Sequence, residues 1–468
     1  MTTTLLLQVS PGEVWAALVE GDALGALRIW RDAASAEPGQ VFLGRVVALK
    51  PELPAALVEI GFERPAFLSA EDAPKGALAG LTEGEAVLVQ VLKAARADKG
   101  AGVSLRLRLD GRFLALTPER PGIVLDALPQ ADRAGVAAEL AALARPQEGL
   151  RALAPAAGAT AAELAADLEA LRRRHAAIAA ARRTATPPAL LEAPATPVAR
   201  ALAEFAPGRP DAVVNDDAAA LGEARRWAAQ YAPALAERLA LHRGATPLFE
   251  HHGIAGDVAV ALELRVPLPS GGALIIAHTA AATVIDVDSG SAPGRGRDAA
   301  LAILALNLEA ARAVARQIRL RSLAGPIVID FIGMRRREDR ERVSEALHEA
   351  LADDRGSDVL GWTRLGHLEL VRKRRYASLE ELLFERTPEG GLVKTPLTVA
   401  LEALRALARA ALAAPPRAPT LRLHPEVAAV LEAAARPARA ALEQRLGRGI
   451  AVIAEPGRPR DRFDIGLG

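Results

Sequence analysis

Alternating apolar and polar residues dominate the first quarter of the chain. Residues 1–34 alternate on either side of a Glu20-Gly21-Asp22 turn, the pattern of a strand, a turn and a second strand. Residues 39–108 continue as short strands separated by turn residues. Because evenly spaced short strands are typical of small closed sheets, we predict a β-barrel over this segment.

Helical spacing replaces the alternation after the predicted barrel. Residues 128–145, 160–183 and 216–242 have the spacing of amphipathic helices. The stretch between the last two, residues 184–210, holds six prolines and no long periodic run. We therefore expect a loop-rich connector at 184–210.

Strands and helices alternate from residue 265 onwards. LPSGGALIIAHTAAATVIDVDSG (268–290) predicts two strands joined by a turn, and PIVIDFIGM (326–334) predicts a buried strand. Between them, apolar residues from Leu301 to Ile318 step by three and four, which indicates a helix with one buried face.

The last part of the chain continues this alternation in a smaller unit. Thr395 and Pro396 open a helix as its N-cap and its first-turn proline. Residues 419–468 then predict a strand, a helix over 427–446 and a second strand.

Composition narrows the class of protein. The length of 468 residues suggests about three domains, and a hydrophobic fraction of 51% with 25% charged residues is that of a globular protein. Lys and Arg total 58 against 57 Asp and Glu, so any basic surface that binds nucleic acid must be local. The absence of cysteine excludes disulfides, thiolate zinc sites and cysteine nucleophiles. With neither a long apolar run nor a secretory signal, we expect no membrane span and a cytoplasmic protein.

Three aspartates stand out in otherwise apolar strands. Asp286 and Asp288, in TVIDVDSG, occupy positions i and i+2 and so point to one face. Asp330 lies in a similar way in PIVIDFIGM, and it meets Asp286 if the two strands are neighbours. Two carboxylates with waters suit Mg²⁺, which activates water and stabilises charge on a phosphate under attack. The alternative is that each aspartate caps a turn or a helix.

Basic and aromatic residues add two further candidate surfaces. Arginine or lysine occupies positions 295, 297, 312, 316, 319, 321, 335–337 and 372–375. Such clusters can neutralise an RNA backbone near the carboxylates, although solvated helix faces give the same pattern. The predicted barrel holds Phe42, Phe62 and Phe67 among basic residues, a combination that binds single-stranded nucleic acid. The alternative is that these rings are packed in the barrel core.

The longer motifs resemble the ribonuclease E/G family. The segment 268–290, NLEAARAVARQIRLRSLAGPIVIDFIGM (307–334) and RLGHLELVRKRRYASLEELL (364–383) resemble its catalytic core. GQVFLGRVVALKPELPAALVEIGFERPAFL (39–68) resembles its OB-fold RNA-binding domain, and the tail resembles the C-terminal module of its ribonuclease G-type members. The resemblance implies a Mg²⁺-dependent endoribonuclease that cuts single-stranded RNA.

The fold implied by this resemblance is α+β and multidomain. It combines an RNase H-like domain with an inserted OB-fold β-barrel, a DNase I-like α/β catalytic domain and a small C-terminal αβ module. The resemblance implies that the RNase H-like and sensor-like region is discontinuous and comprises residues 1–36 and 109–265, with the OB-fold at 37–108 between them. The catalytic domain would span 266–380. A cysteine-free equivalent of the zinc-link with a helix would follow at 381–418, and the C-terminal module at 419–468.

The resemblance also implies roles for individual residues. Asp286 and Asp330 would hold the Mg²⁺ ion. Asp288 stands where the family usually has Asn, and it would orient Asp286 or add to the site. The implied RNA contacts are Phe67 and Lys99 on the OB-fold, and Arg372 and Arg374 at the backbone beside the cut.

Several positions depart from the family pattern. Leu57 stands where the OB-fold has its first stacking aromatic, so one base-stacking contribution of about 1–3 kcal/mol is missing. Leu153 and Ala154 replace the Arg-Thr pair that senses an RNA 5′ monophosphate, and Arg151 lies two residues away. We therefore expect recognition of a 5′ monophosphate to be weak or absent.

Two more departures concern zinc and acidic residues. FERTPEG (384–390) stands in place of a Cys-Pro-x-Cys pattern, so we expect no zinc, and a zinc-bridged dimer is impossible by that route. A homodimer through the core helices stays open. Gly333 replaces the second acidic residue of the family's VIDFIDM motif.

These losses leave a second hypothesis, a non-catalytic RNA-binding protein on a degenerate nuclease scaffold. Retention of Asp286 and Asp330 favours the enzyme over this alternative. A nuclease acting on DNA has little support, although an OB-fold accepts single-stranded DNA as well.

Overall fold

Two compact units make up the protein. A computed structural model describes residues 2–31, 36–50, 52–93, 95, 100–118, 120–193, 195–206, 209–244, 246–279, 281–290, 297–352, 354, 356–374, 376–387, 391–413 and 418–468. The first unit comprises Met1–Arg31, Gly208–Arg226 and Ala234–Gly468, and the second comprises Asp32–Pro207 and Trp227–Pro233.

Both strands and helices are found along the whole of the described chain. The strands are β1 (Thr3–Ser10), β2 (Glu13–Glu20), β3 (Ala23–Arg31), β4 (Val41–Lys50), β5 (Ala55–Glu59), β6 (Ala66–Ser69), β7 (Ala86–Lys93), β8 (Gly102–Ser104), β9 (Leu109–Asp110), β10 (Leu114–Pro118), β11 (Gly122–Val124), β12 (Glu148–Ala152), β13 (Ala189–Glu192), β14 (Ala212–Asn215), β15 (Leu239–Leu241), β16 (Arg265–Pro267), β17 (Ala273–His278), β18 (Thr283–Asp288), β19 (Gly325–Asp330), β20 (Ser357–Trp362), β21 (Leu368–Arg372), β22 (Phe384–Arg386), β23 (Leu392–Lys394), β24 (Thr420–Leu423), β25 (Ala451–Ala454) and β26 (Asp464–Gly466). The α-helices are α1 (Gln130–Leu143), α2 (Ala161–Thr184), α3 (Pro197–Phe205), α4 (Ala218–Tyr231), α5 (Leu248–His251), α6 (Ala255–Val260), α7 (Arg297–Leu320), α8 (Arg337–Ala350), α9 (Leu379–Leu383), α10 (Pro396–Ala413), α11 (Pro425–Glu432) and α12 (Arg436–Leu446).

A five-stranded closed barrel lies in the second unit. β4, β5, β6, β8 and β7 pair in that order, and β7 pairs again with β4, which closes the ring. Alternate residues of each strand point inward, so Phe42, Val58 and Val89 fill an apolar interior. The β-barrel predicted over 39–108 is confirmed, and its form is OB-like.

Outside the barrel, a buried carboxylate of the second unit joins α2 to the start of β10. Next to the sheet β11-β12-β10-β9 lies α2, which carries Asp167 on its buried side. The Asp167 carboxylate accepts hydrogen bonds from the backbone N–H groups of Arg112, Phe113 and Leu114, at 3.0, 2.8 and 2.9 Å. This side chain therefore holds the start of β10 against α2.

Two larger sheets organise the first unit. One has the order β15-β14-β1-β2-β3, in which β1 to β3 are antiparallel and β1, β14 and β15 are parallel. The other, which we call the aspartate sheet, has the order β16-β17-β18-β19-β21-β20, and β18 with β19 is the only parallel pair among its described strands. Residues of α7 and α8 form one apolar core with the buried side of the aspartate sheet.

The tail forms a smaller sheet with helices beside it. The strand order is β25-β24-β26, and α10, α11 and α12 share its core. The two predicted strands are confirmed, but the single helix predicted over 427–446 is wrong, because α11 ends at Glu432 and α12 begins at Arg436. Pro437 lies in the first turn of α12, where its missing N–H is tolerated and where it interrupts a continuous helix.

The loop-rich connector predicted over 184–210 is also wrong. It contains β13, which pairs with β4, and the helix α3. Pro197 is the first residue of α3, and the Thr196 side chain accepts a hydrogen bond from the Ala199 N–H at 3.2 Å. A proline at this position begins a helix instead of breaking one.

The remaining predicted helices agree more closely with the structure. Those over 128–145 and 160–183 are confirmed as α1 and α2, and Thr395 caps α10 as predicted, accepting from the Thr398 N–H at 3.1 Å. The helix predicted over 216–242 is shorter, because α4 ends at Tyr231 and β15 follows. None of the helices described is both long and apolar enough to cross a lipid bilayer.

Asp167→Ala should destabilise the second unit by about 2–4 kcal/mol, because two buried N–H groups and a partly buried one lose their acceptor. Differential scanning calorimetry of the full chain measures this as a lower unfolding temperature. The matched control is Glu169→Ala on the same helix, an exposed residue whose ion pair with Arg172 should contribute less than about 1 kcal/mol. Equal effects of the two substitutions would contradict the role of Asp167.

Candidate active site

The parallel pairing of β18 with β19 brings two aspartates together. Asp286 is the register partner of Asp330, and neighbouring strands lie about 4.8 Å apart. Both residues are exposed and lie on the face of the aspartate sheet that is opposite the core. Two carboxylates therefore project side by side into solvent.

The alternation within each strand directs these carboxylates outward. Ile285 and Val287 flank Asp286, Ile329 precedes Asp330, and all three apolar side chains are buried in the core with α7 and α8. A shift of one residue in either strand would bury the charged groups and expose the apolar ones, at a large cost in free energy. The core therefore determines where the acidic pair lies.

Asp288 lies on the same face but has partners of its own. Its Oδ1 accepts a hydrogen bond from the Gly290 N–H at 2.9 Å, and its Oδ2 accepts one from Nη1 of Arg265 at 2.7 Å. These two donors hold the pKa of the Asp288 carboxyl below its usual value. Asp288 therefore caps the turn after β18 and remains ionised near Asp286.

The donor set at Asp286 and Asp330 fits a hard divalent cation. Among the described residues, Asp286 has no ion-pair partner, and Asp330 has only the Nε2 atom of His367, 3.8 Å from its Oδ1. Within the same ranges, no group of three or more His, Asp or Glu side chains is arranged to hold a metal ion. Mg²⁺ keeps several of its waters and needs only one or two protein carboxylates, so the pair suits this ion.

A buried asparagine holds the segment that follows Asp330. The Asn307 side chain, on α7, donates to the Ile332 carbonyl at 2.8 Å and accepts from the Ile332 N–H at 3.1 Å. Because Asn307 is fully buried, this bonding fixes the direction in which the chain leaves β19. A signal was present in the sequence, since Asn307 is a polar residue on the apolar helix face of Leu304 and Ala311.

Two of the basic residues that follow Asp330 in the sequence have no ion pair among the described residues. Arg335 and Arg336 follow Asp330 by five and six positions, are exposed, and have no acidic partner among the described residues. Arg337 instead pairs with Glu341 at 2.8 Å. Positions 295 and 375 of the predicted basic clusters lie outside the described residues.

Arg372 and Arg374 belong to the other end of the sheet. Arg372 is the register partner of the first residue of β19, whereas Asp330 is the last, about 17 Å away along the strand. Arg372 forms a 2.6 Å ion pair with Asp354, in which both side chains are 11% exposed, and Arg374 pairs with Glu381 at 2.7 Å. The structure therefore does not bring these arginines to the aspartates.

The barrel presents one aromatic side chain to solvent. Phe67 is 40% exposed, and its register partner on β5 is Leu57, so the two side chains are neighbours across the strands. Phe42 and Phe62 instead contact each other at the barrel core, with 5.9 Å between ring centroids. Lys99 lies outside the described residues.

The segment expected to correspond to a 5′-end sensor has no free donor at the expected positions. Leu153 and Ala154 are half-buried and have no polar side-chain atom. Arg151, on β12, hydrogen-bonds both carboxylate oxygens of Asp126 at 2.6 Å, and this bonding lowers the pKa of Asp126. The guanidinium of Arg151 is thus already engaged with an anion of the same unit.

Comparison with known proteins identifies relatives over nearly the whole chain. Ribonuclease G of Haemophilus influenzae is 33% identical over 428 positions, which cover 86% of this chain and 87% of that protein. Ribonuclease G of Escherichia coli (strain K12) is 30% identical over 487 positions, covering 99% of each. Ribonuclease E of the same strain is 31% identical over 433 positions, covering 88% of this chain and 41% of that protein.

The family model of the ribonuclease E/G family matches residues 108–375, a range that contains β18, β19 and both outward-facing aspartates. The match spans more than half of the 468 residues. The chain therefore belongs to the ribonuclease E/G family.

Proposed function

We propose that this protein is a metal-dependent endoribonuclease that hydrolyses phosphodiester bonds in single-stranded RNA. The observation that carries the proposal is the register pairing of Asp286 with Asp330, two exposed carboxylates with no strong basic partner among the described residues. Family membership supports the choice of RNA, because the relatives are named ribonuclease G and ribonuclease E.

Asp286 and Asp330 are the proposed ligands of Mg²⁺. When bound there, the ion would supply an activated water and stabilise negative charge on the phosphate under attack. Asp288 keeps its negative charge nearby while Arg265 and Gly290 fix its position. In the proposed hydrolysis, water adds to the phosphorus and the 3′ oxygen leaves, so the downstream product carries a 5′ phosphate.

Other side chains of the first unit position the substrate and the site. Arg335 and Arg336, exposed and close in sequence to Asp330, are the proposed contacts for RNA phosphates near the cut. Asn307 is a positioning residue, because it holds the backbone of Ile332. The ion pair with Asp354 favours a structural role for Arg372. Arg374, 44% exposed and paired with Glu381, is proposed to contact the RNA backbone away from the cut instead of beside it.

The finer architecture is part of the same proposal. We assign residues 1–36 with 109–265 to an RNase H-like and sensor-like region, 37–108 to the OB-fold and 266–380 to a DNase I-like catalytic domain. The closed barrel over β4 to β8 supports the second assignment, and the aspartate sheet with α7 and α8 supports the third. We assign 381–418 to the cysteine-free link segment and 419–468 to the C-terminal module.

Asp286→Asn and Asp330→Asn should each lower the cleavage rate at saturating RNA by about a hundredfold or more, the cost of losing one charged contact to the transition state. The measurement is cleavage of an end-labelled, A/U-rich single-stranded RNA with Mg²⁺. Asp358→Asn is the matched control, an exposed aspartate on β20 of the same sheet, and it should cleave like the unsubstituted protein. Tight RNA binding with no cleavage by the unsubstituted protein would leave the alternative, a non-catalytic RNA-binding protein.

RNAs with a 5′ monophosphate and with a 5′ hydroxyl should be cleaved at rates within about twofold of each other, equivalent to roughly 0.4 kcal/mol. The reason is that Leu153 and Ala154 offer no donor and that Arg151 is bonded to Asp126. Single-turnover rates on two RNAs that differ only at the 5′ end measure this. A preference of tenfold or more for the monophosphate would show that another group senses the end.

Phe67→Ala should weaken binding of single-stranded RNA by about 1–3 kcal/mol through the loss of base stacking. Leu57→Phe should strengthen binding, because Leu57 is beside Phe67 on the barrel surface and would place a second ring there. Fluorescence anisotropy with a labelled oligonucleotide at fixed salt measures both affinities. Phe42→Leu is the control. It changes the packing of the barrel core but leaves the exposed ring of Phe67 in place, so a loss of affinity caused by lower stability can be told from a loss of stacking. Unchanged affinity in Phe67→Ala would remove this residue from the proposed RNA contacts.

A further inference from the structure

A cavity of about 230 Å³ lies at the end of the aspartate sheet that is remote from the acidic pair. His278, the last residue of β17, lines it and is the register partner of Thr283, the first residue of β18. Much of the wall is apolar and is formed by Leu262, Leu264, Leu379, Phe384 and Leu392. The proposed cleavage of RNA makes no use of this cavity.

A buried arginine also lines the cavity. Arg321 is only 6% exposed, with Nε donating to Oε1 of Gln317 at 2.7 Å and Nη2 donating to the Val260 carbonyl at 3.1 Å. Its Nη1 has no hydrogen-bond acceptor, and its guanidinium no ion-pair partner, in the part of the chain that the structure describes. Burial lowers the pKa of Arg321 to about 10, although the negative charge of Glu380, which lines the same cavity, acts in the opposite direction, so the group remains charged at neutral pH. A buried charge of this kind is costly unless an anion compensates it.

The other polar groups of the cavity are already engaged. Nδ1 of His278 lies 2.9 Å from Oγ1 of Thr283, and its Nε2 lies 3.4 Å from a carboxylate oxygen of Glu380. Glu380 in turn accepts a hydrogen bond from Nη2 of Arg386 at 2.9 Å. Burial lowers the pKa of His278, which keeps the ring neutral near pH 7. The direct contacts of Glu380 are therefore with His278 and Arg386, and Arg321, on which the Glu380 charge acts only at longer range, has no direct ion-pair partner among the described residues.

We propose that this cavity binds a small organic anion, whose carboxylate or phosphate group pairs with Arg321 and whose apolar body packs against the leucines and Phe384. A guanidinium presents donors in a planar fork that matches both kinds of oxyanion. A dry cavity of about 150 Å³ is large enough for benzene, so this larger one accommodates a body of that size together with its charged group.

Isothermal titration calorimetry on the full chain tests the proposal with four probes: benzoate, phenyl phosphate, benzyl alcohol and inorganic phosphate. Benzoate, phenyl phosphate or both should bind with one site per chain, and comparing the two tells which oxyanion the cavity takes. Benzyl alcohol lacks the charge and inorganic phosphate lacks the apolar body, so each should bind about tenfold or more weakly. No saturable binding of either aromatic anion, or equal binding of benzyl alcohol, would overturn the proposal.

Two variants test whether the anion binds in this cavity. Arg321→Gln should weaken binding of the anion by about ten- to hundredfold, the usual worth of a hydrogen bond to a charged group. Because Arg321 is buried and its loss can impair folding, Leu264→Trp gives a second test, since it fills the cavity from a wall residue that is 52% exposed. Leu360→Trp is its control, at a leucine of the same sheet that is 63% exposed and does not line the cavity. Binding that survives Leu264→Trp would place the anion elsewhere and overturn the proposal.

Discussion

The parallel pairing of β18 with β19 is the constraint on which the candidate active site depends. Hydrogen bonds of the ladder set the strands side by side, and burial of Ile285, Val287 and Ile329 sets which face of each strand is covered. Once both are fixed, Asp286 and Asp330 have to emerge next to each other on the exposed face. Their mutual repulsion is a cost that the apolar core offsets and that a bound cation would relieve.

One helix connects this site to the remainder of the first unit. Asn307 lies in α7 and holds the chain just after Asp330, and Arg321 directly follows the same helix at the remote cavity. The two residues are 14 positions apart, which corresponds to about 21 Å of helix. Because α7 packs along the buried side of the sheet, its position is fixed by the same core that directs the aspartates outward. Helix α7 therefore contacts the segment that follows the acidic pair through Asn307 and leads into the Arg321 cavity at its C-terminal end.

Local periodicity accounts for the elements that could be predicted from the sequence. The barrel strands, α1, α2 and the two aspartate strands repeat every two or every three to four residues, and burial of one face selects the same pattern in the fold. Local periodicity does not predict which residues become partners in the tertiary structure. The basic run at 372–375 has the composition of an RNA contact, yet Arg372 is paired with Asp354, 18 positions earlier. The contact of His367 with Asp330 depends likewise on which strands become neighbours, and no local pattern encodes it.

In the proposed reaction, the departures from the family pattern affect the binding and the choice of RNA and leave the carboxylates at the cleavage site unchanged. In the proposed RNA complex, Leu57 would remove one stacking contact, worth about 1–3 kcal/mol, for the bound RNA and for its transition state alike. With Arg151 bonded to Asp126, the proposed nuclease would have no preference for one kind of RNA end, which again changes the choice of substrate. Neither change alters Asp286 or Asp330, where charge would develop during cleavage. The proposed nuclease would therefore bind RNA less tightly and select it less strictly than a relative without these departures, while a bound RNA would still meet an intact pair of carboxylates.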